Sequence, residues 1–280
     1  MLDFKSVVSD IELLVKFEPS EDDPNTVNCL SSESNEIVGS VQLEGATFSA
    51  SSDFVFTQYK LWQTRPERKV GKEIDLQDKN IDELITEYEE LFVGAYILSR
   101  NYSVKPNDNT YERTLDWLRA TDFYIAPAST HFHDSVPGGL LVHSLKVYNQ
   151  IVDLSKVPAF ESVNIAEATL VALMHDWCKI SYYDQYTKNV KDNVTGKWRE
   201  EVAYRVNQKG IPLGHGVTSL YMAMRVVPLS VEQCLAIRWH MGRFNVCDNE
   251  ENEYQKALAE HPMVFMMHVA DQLSCVDYTK

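Results

Sequence analysis

The stretch that most constrains this chain is Val171-Ala172-Leu173-Met174-His175-Asp176-Trp177-Cys178-Lys179-Ile180, where an adjacent His-Asp pair ends an otherwise apolar run. Ile165, Leu170, Val171, Leu173 and Met174 suit a buried helix, and Asn164-Ile165-Ala166-Glu167 supplies an N-cap residue followed three positions later by Glu. Such a helix delivers an imidazole and a carboxylate into the interior. An ionised carboxylate there is costly unless a cation meets it, and a metal ion is the partner that His and Asp can both serve. Taken alone, the dipeptide reads first as a capping Asp beside a hydrogen-bonded core His.

The other histidines change that reading. His143 lies in Gly138-Gly139-Leu140-Leu141-Val142-His143-Ser144-Leu145-Lys146-Val147-Tyr148, with Leu141, Leu145 and Tyr148 at helical spacing. His215 opens a helical pattern through Met222, His240 closes Leu235-Ala236-Ile237-Arg238-Trp239-His240, and Asp271 sits inside Met267-His268-Val269-Ala270-Asp271-Gln272-Leu273. Five inward positions on five predicted helices argue for one shared metal site over five separate core residues. The expected ligands are His143, His175, Asp176, His215, His240 and Asp271.

The order His143, His175-Asp176, Asp271 resembles the signature of the HD superfamily of metal-dependent phosphohydrolases, and His215 and His240 resemble the additions of its two-metal branch. Gly138 to Leu145 and Leu173 to Ile180 resemble the GGLLxHSL and LLHDxxK segments of uncharacterised HD hydrolases and of HD proteins related to bacterial 3′–5′ exoribonucleases. The resemblance spans roughly residues 125 to 278. It implies a mainly α fold, an HD-type helical bundle, with Asp176 bridging two ions. It also implies that Lys179, the Lys of the HDxxK segment, approaches the substrate phosphate. Cys178 stands where Gly is usual in that segment. Asp134 stands where relatives often carry the second of two His before the double Gly; His133, just before it, is retained as a candidate substrate contact.

Composition bounds the rest. With 280 residues, 44% of them hydrophobic, the chain has material for one large domain with an appendage. A formal charge of −15 disfavours a long nucleic acid as partner, since such affinity rests largely on neutralising phosphates with Lys and Arg. The five cysteines lack CxxC spacing and read as reduced thiols of a cytoplasmic protein. No signal segment and no membrane span is expected.

Along the chain, residues 1–75 read as an accessory α+β segment, and residues 80–280 as the helical catalytic domain. In the former, a short helix over Val7 to Lys16 precedes a polar loop from Pro19 to Asn35 and β-prone runs at Glu36 to Leu43 and Phe54 to Tyr59. Phe54, Phe56, Tyr59 and Trp62 read more readily as core than as a base-stacking surface. Arg65 to Lys79 reads as a solvated linker. Asn80-Ile81-Asp82-Glu83 begins the helical body, and a second helix covers Thr110 to Ala120. A β-hairpin is expected as an insertion at about 182–206. Lys188, Lys191, Lys197, Arg199 and Arg205 make it locally basic, and Lys188 and Arg205 are candidate substrate contacts.

Four imidazoles and two carboxylates suit two divalent transition-metal ions, Mn, Fe, Co, Ni or Zn, better than Mg with its preference for oxygen. Asp176 with His143, His175 and Asp271 would hold one ion, and Asp176 with His215 and His240 the other. A hydroxide between the ions would attack a phosphate ester of a nucleotide or short oligonucleotide, with Asp176 and Lys179 as the catalytic residues. The same ligand order occurs in HD-fold mixed-valent di-iron oxygenases, and a metal-stabilised nucleotide-binding module without turnover is the third reading. The sequence is compatible with an oligomer.

Overall fold

The computed structural model of the chain describes residues 15–23, 26–31, 37–44, 47–50, 69–100, 109–132, 134–192, 195–207 and 210–276. It divides into two compact units, residues 1–69 and residues 70–280. The first is built on a four-stranded antiparallel meander of β1 (Val15–Pro19), β2 (Thr26–Ser31), β3 (Ile37–Glu44) and β4 (Thr47–Ala50). The run expected at Glu36 to Leu43 is β3. The loop expected from Pro19 to Asn35 contains β2, because Thr26-Val27-Asn28-Cys29-Leu30 alternates within a polar setting and pairs on both sides. The helix expected over Val7 to Lys16 gives way to β1 at Val15 and Lys16. Its earlier residues, the run Phe54 to Tyr59 and Trp62 lie outside the described residues.

The second unit is helical, with eight α-helices among its described residues: α1 (Ile81–Ser99), α2 (Thr110–Arg119), α3 (Gly139–Leu154), α4 (Ile165–Met174), α5 (His215–Met224), α6 (Val231–Trp239), α7 (Glu251–Glu260) and α8 (Pro262–Ser274). None is long and apolar enough to cross a membrane. Residues 70–74, expected as solvated linker, are instead strapped to α3. Tyr148 binds both the amide and the carbonyl of Lys72, and the Asn149 amide group pairs with both backbone groups of Ile74. A planar amide offers a donor and an acceptor side by side, so Asn149 mimics a strand neighbour.

Three of the helices described begin at a side-chain cap. Asn80 accepts from the amides of Asp82 and Glu83 while Glu83 returns to the Asn80 amide, the reciprocal capping box. Asn164 caps α4 in the same way, but Glu167 reaches Ser230 at the start of α6 instead of its own cap. That redirection ties α4 to α6, whose ends carry His175 and His240. Gly139 opens α3 because a Cβ there would lie 1.9 Å from the carbonyl oxygen of Asp134.

The core lies where α4 packs against α1 and α3, and α8 against α3 and α6. Trp177, just after α4, is fully buried, stacks on Phe92 at 6.4 Å between ring centres and tilts against Trp117 at 5.2 Å. Its indole N–H donates to Tyr88 Oη at 3.2 Å, and the Tyr88 hydroxyl donates to the Leu173 carbonyl at 2.7 Å. The backbone on both sides of His175-Asp176 is thereby fixed from α1. Burying large aromatics contributes about 1.5–3 kcal/mol each, and here it also anchors the His-Asp pair. Glu89 on α1 is buried with its charge met by both Nε and Nη2 of Arg119 on α2, and by the Tyr124 hydroxyl at 3.1 Å.

Between Lys179 and α5 a two-stranded hairpin, β5 (Tyr183–Lys191) and β6 (Trp198–Val206), stands on the helical unit. Its register runs from Tyr183 opposite Val206 to Lys191 opposite Trp198. Asn207 closes the root, its amide donating to the Tyr182 carbonyl and its side chain to that of Ser181. The mainly α architecture with a hairpin agrees with the expectation from sequence.

Candidate metal centre

Helix ends and two positions inside helices bring the expected residues together. His143 projects from α3, His175 and Asp176 follow α4, His215 opens α5, His240 follows α6, and Asp271 sits on α8. His143, His175, Asp176, His240 and Asp271 are all buried, and His215 is partly so. His143 Nε2 lies 3.3 Å from Asp176 Oδ2, 3.2 Å from Asp271 Oδ1 and 3.2 Å from His175 Nε2. His175 Nε2 lies 3.4 Å from Asp176 Oδ2, while His240 Nε2 lies 3.7 Å from the other oxygen, Oδ1. The two oxygens of Asp176 thus face different donor sets.

The outer ring nitrogens fix the tautomers. His175 Nδ1 donates to the Ala172 carbonyl and His240 Nδ1 to the Ile237 carbonyl, each at 2.8 Å, because a carbonyl can only accept. The Ser274 hydroxyl spends its proton on the Asp271 carbonyl at 2.7 Å, so at 3.3 Å it accepts from His143 Nδ1. In neutral form all three imidazoles therefore turn an Nε2 lone pair inward, the orientation that backbone partners impose on metal-ligating His. Among the described residues the buried His240 Nε2 has no hydrogen-bond partner. Lone pairs and carboxylates so close together repel unless a cation lies between them. A metal ion meets that need, and the clusters His143–His175–Asp176, His143–Asp271–Cys275 and Asp176–Cys178–His215 each place three donor atoms within 4.8 Å of one another.

Within the cluster, burial and neighbouring charges compete. Burial opposes protonation of His143 and His240, yet a hydrogen bond to Asp176 raises the pKa of His143 and the nearby Asp176 charge raises that of His240. At His175 burial prevails and lowers it, as it does at His215. Burial also works against the two carboxylates, but Lys179 and the neighbouring imidazoles hold Asp176 well below the usual range, and His143 and His175 do the same for Asp271. Lys179 itself is buried, with Nζ 2.5 Å from Asp176 Oδ2.

A cleft of about 350 Å³ opens onto this centre. Asp176, Lys179, His215 and Asp271 line it, together with Phe132, Tyr182, Tyr183 and Met241. The hairpin reaches the cleft through its root, with Tyr182, Tyr183 and Val206, and the expected contacts Lys188 and Arg205 are absent from the described lining. Lys188 stands opposite Glu201 in the ladder, and Arg205 lies over the Tyr186 ring near Asp184. Net positive charge along a hairpin does not say which of its residues face a cleft. His133 lies outside the described residues, and Asp134 is engaged with Lys146 of α3 at 2.6 Å.

Sequence reasoning missed three neighbours of the centre. Cys178 Sγ is 3.3 Å from His215 Nδ1, Cys275 Sγ is 3.9 Å from Asp271 Oδ1, and Ser274 orients His143. The signal for Cys275 and Ser274 was available, since both lie within one helical turn of Asp271. Comparison of the chain with protein-family models, with curated proteins and with solved structures found no match.

Proposed function

We propose that this protein is a metal-dependent phosphohydrolase of the HD superfamily, acting on a phosphate ester of a nucleotide or short oligonucleotide with two divalent transition-metal ions. The observation that carries this reading is the division of Asp176, with Oδ2 facing His143 and His175 and Oδ1 facing His240 and Cys178. A carboxylate so placed suits two ions, which would bring the pKa of a shared water near neutrality and polarise the phosphoryl oxygens. Asp271 completes the Oδ2 side and His215 the Oδ1 side. Lys179 borders the cleft as a buried cation beside Asp176, suited to hold a substrate phosphate oxygen. Tyr182, Tyr183 and Phe132 offer faces on which a base or sugar can rest. The cleft volume falls in the range for a small ligand.

The resemblance of the Gly138 to Leu145 and Met174 to Ile180 segments to hydrolases favours phosphate chemistry over the oxygenase reading. The test is a panel of phosphomonoesters, phosphodiesters and nucleotides assayed with Mn, Fe, Co, Ni, Zn and Mg. Hydrolysis with at least one transition ion, and weaker turnover with Mg, is expected. Protein that binds these ions yet cleaves no ester, while consuming oxygen in its iron form, would replace this reading with the oxygenase.

A further inference from the structure

We propose that Cys178 is a thiolate ligand of the ion on the Oδ1 side of Asp176, so that this metal position includes sulfur. This rests on the binuclear reading above and assigns a donor beyond it. Cys178 Sγ lies 3.3 Å from His215 Nδ1 and 4.0 Å from Asp176 Oδ1, and the same oxygen lies 3.7 Å from His240 Nε2. A tetrahedral ion with metal–sulfur bonds of about 2.3 Å and metal–nitrogen or metal–oxygen bonds of about 2.0 Å needs donor separations of about 3.5 Å. The three distances bracket that figure.

The surroundings of Cys178 hold it there. It lies in the tight turn Trp177–Lys179, its amide donates to Ser219 Oγ on α5 at 3.1 Å, and the residue is buried. His240 Nε2, fully buried and without a hydrogen-bond partner among the described residues, turns toward the same oxygen. A second cavity, of about 190 Å³, is bordered by Cys178, His215, Tyr182 and Pro212, so the proposed donors line open space. On ligation the S–H bond breaks, the proton passes to solvent and the sulfur lone pair forms the bond to the metal. No electron is transferred. A sulfur donor biases that position toward Zn, Co or Fe over Mn and Mg.

The experiment is cobalt substitution of the full chain, read by near-ultraviolet and visible absorption together with elemental analysis. Wild type and Cys275→Ser are expected to show an intense sulfur-to-cobalt charge-transfer band. Cys178→Ser and Cys178→Ala are expected to lose it, keep the weaker ligand-field bands, and fall from about two bound ions to about one. Zinc-loaded wild type provides a measurement that needs no variant, since X-ray absorption should show a sulfur scatterer at about 2.3 Å. Wild type that binds two cobalt ions with no charge-transfer band would overturn the thiolate while leaving the binuclear reading intact. A band lost in Cys275→Ser and kept in Cys178→Ser would overturn it equally. Failure to bind any cobalt would instead remove the metal reading on which it rests.

Discussion

At the scale of single residues, Asp176 and Lys179 sit 2.5 Å apart and do different work, which variants can separate. Asp176→Ala deletes the only oxygen pair placed between the two described donor sets, so loss of metal and of hydrolysis together is expected, by elemental analysis and by assay. Lys179→Ala frees an Asp176 oxygen without removing a ligand. Metal content should persist while kcat falls about a hundredfold, the usual cost of one charge-stabilising donor; equal metal loss in both variants would refute the division of roles. The carboxylates also set an acid limit for the metal-free protein. Asp176 and Asp271 both have folded pKa values below the ordinary 3.8. Above that value folded and unfolded chains are both ionised and the full stabilisation is present. As pH falls through it the unfolded chain takes up protons first, so stability drains away and is lost once the depressed folded values are passed. Melting temperatures of chelated protein should therefore fall on acidification through the carboxylate range, and fall less steeply in Asp271→Asn.

At the scale of elements, the two donor sets are positioned by different helix contacts. A Cβ on Gly216 would lie 2.1 Å from the carbonyl oxygen of Arg238, so the close approach of α5 to α6 depends on this glycine. Gly216→Ala must push these helices apart, separating His215 and His240 while leaving α3 and α8 in place. One of two bound ions should be lost and the other kept, and loss of both or of neither would show that the sets are not independent. Much of this was legible in the sequence. Asn80 and Asn164 announced two helix starts, the apolar runs announced α3 and α4, and β-prone segments flanking Asn193 to Gly196 announced the hairpin. What was hidden has physical reasons. A strand such as β2, with Thr26 and Ser31 at its ends and Asn28 in its interior, is specified by its neighbours rather than by its own composition. The straps of Tyr148 and Asn149 on residues 70–74 depend on side chains some 75 positions away, a separation no local pattern reports. The proximity of Cys178 to His215 likewise exists only once α5 has returned across the hairpin.

At the scale of the whole molecule, 41 acidic against 26 basic residues leave few cations to track a polyanion. Binding of a mononucleotide and of a long single strand should then show similarly shallow salt dependence, with a slope matching only one or two phosphates. A steep slope for the long strand, measured by titration at several salt concentrations, would point to a processive nuclease instead. The hairpin has a different consequence. Its root is sealed by Asn207 against Ser181 and Tyr182, and its far turn is closed by Asp192, whose amide donates to the Lys197 carbonyl at 2.8 Å. The described cleft takes its hairpin residues from the root alone. To a protein engineer that makes the turn a port: a fluorescent or affinity module spliced there would ride on a two-stranded stalk, reporting on the protein without touching the cleft at its base.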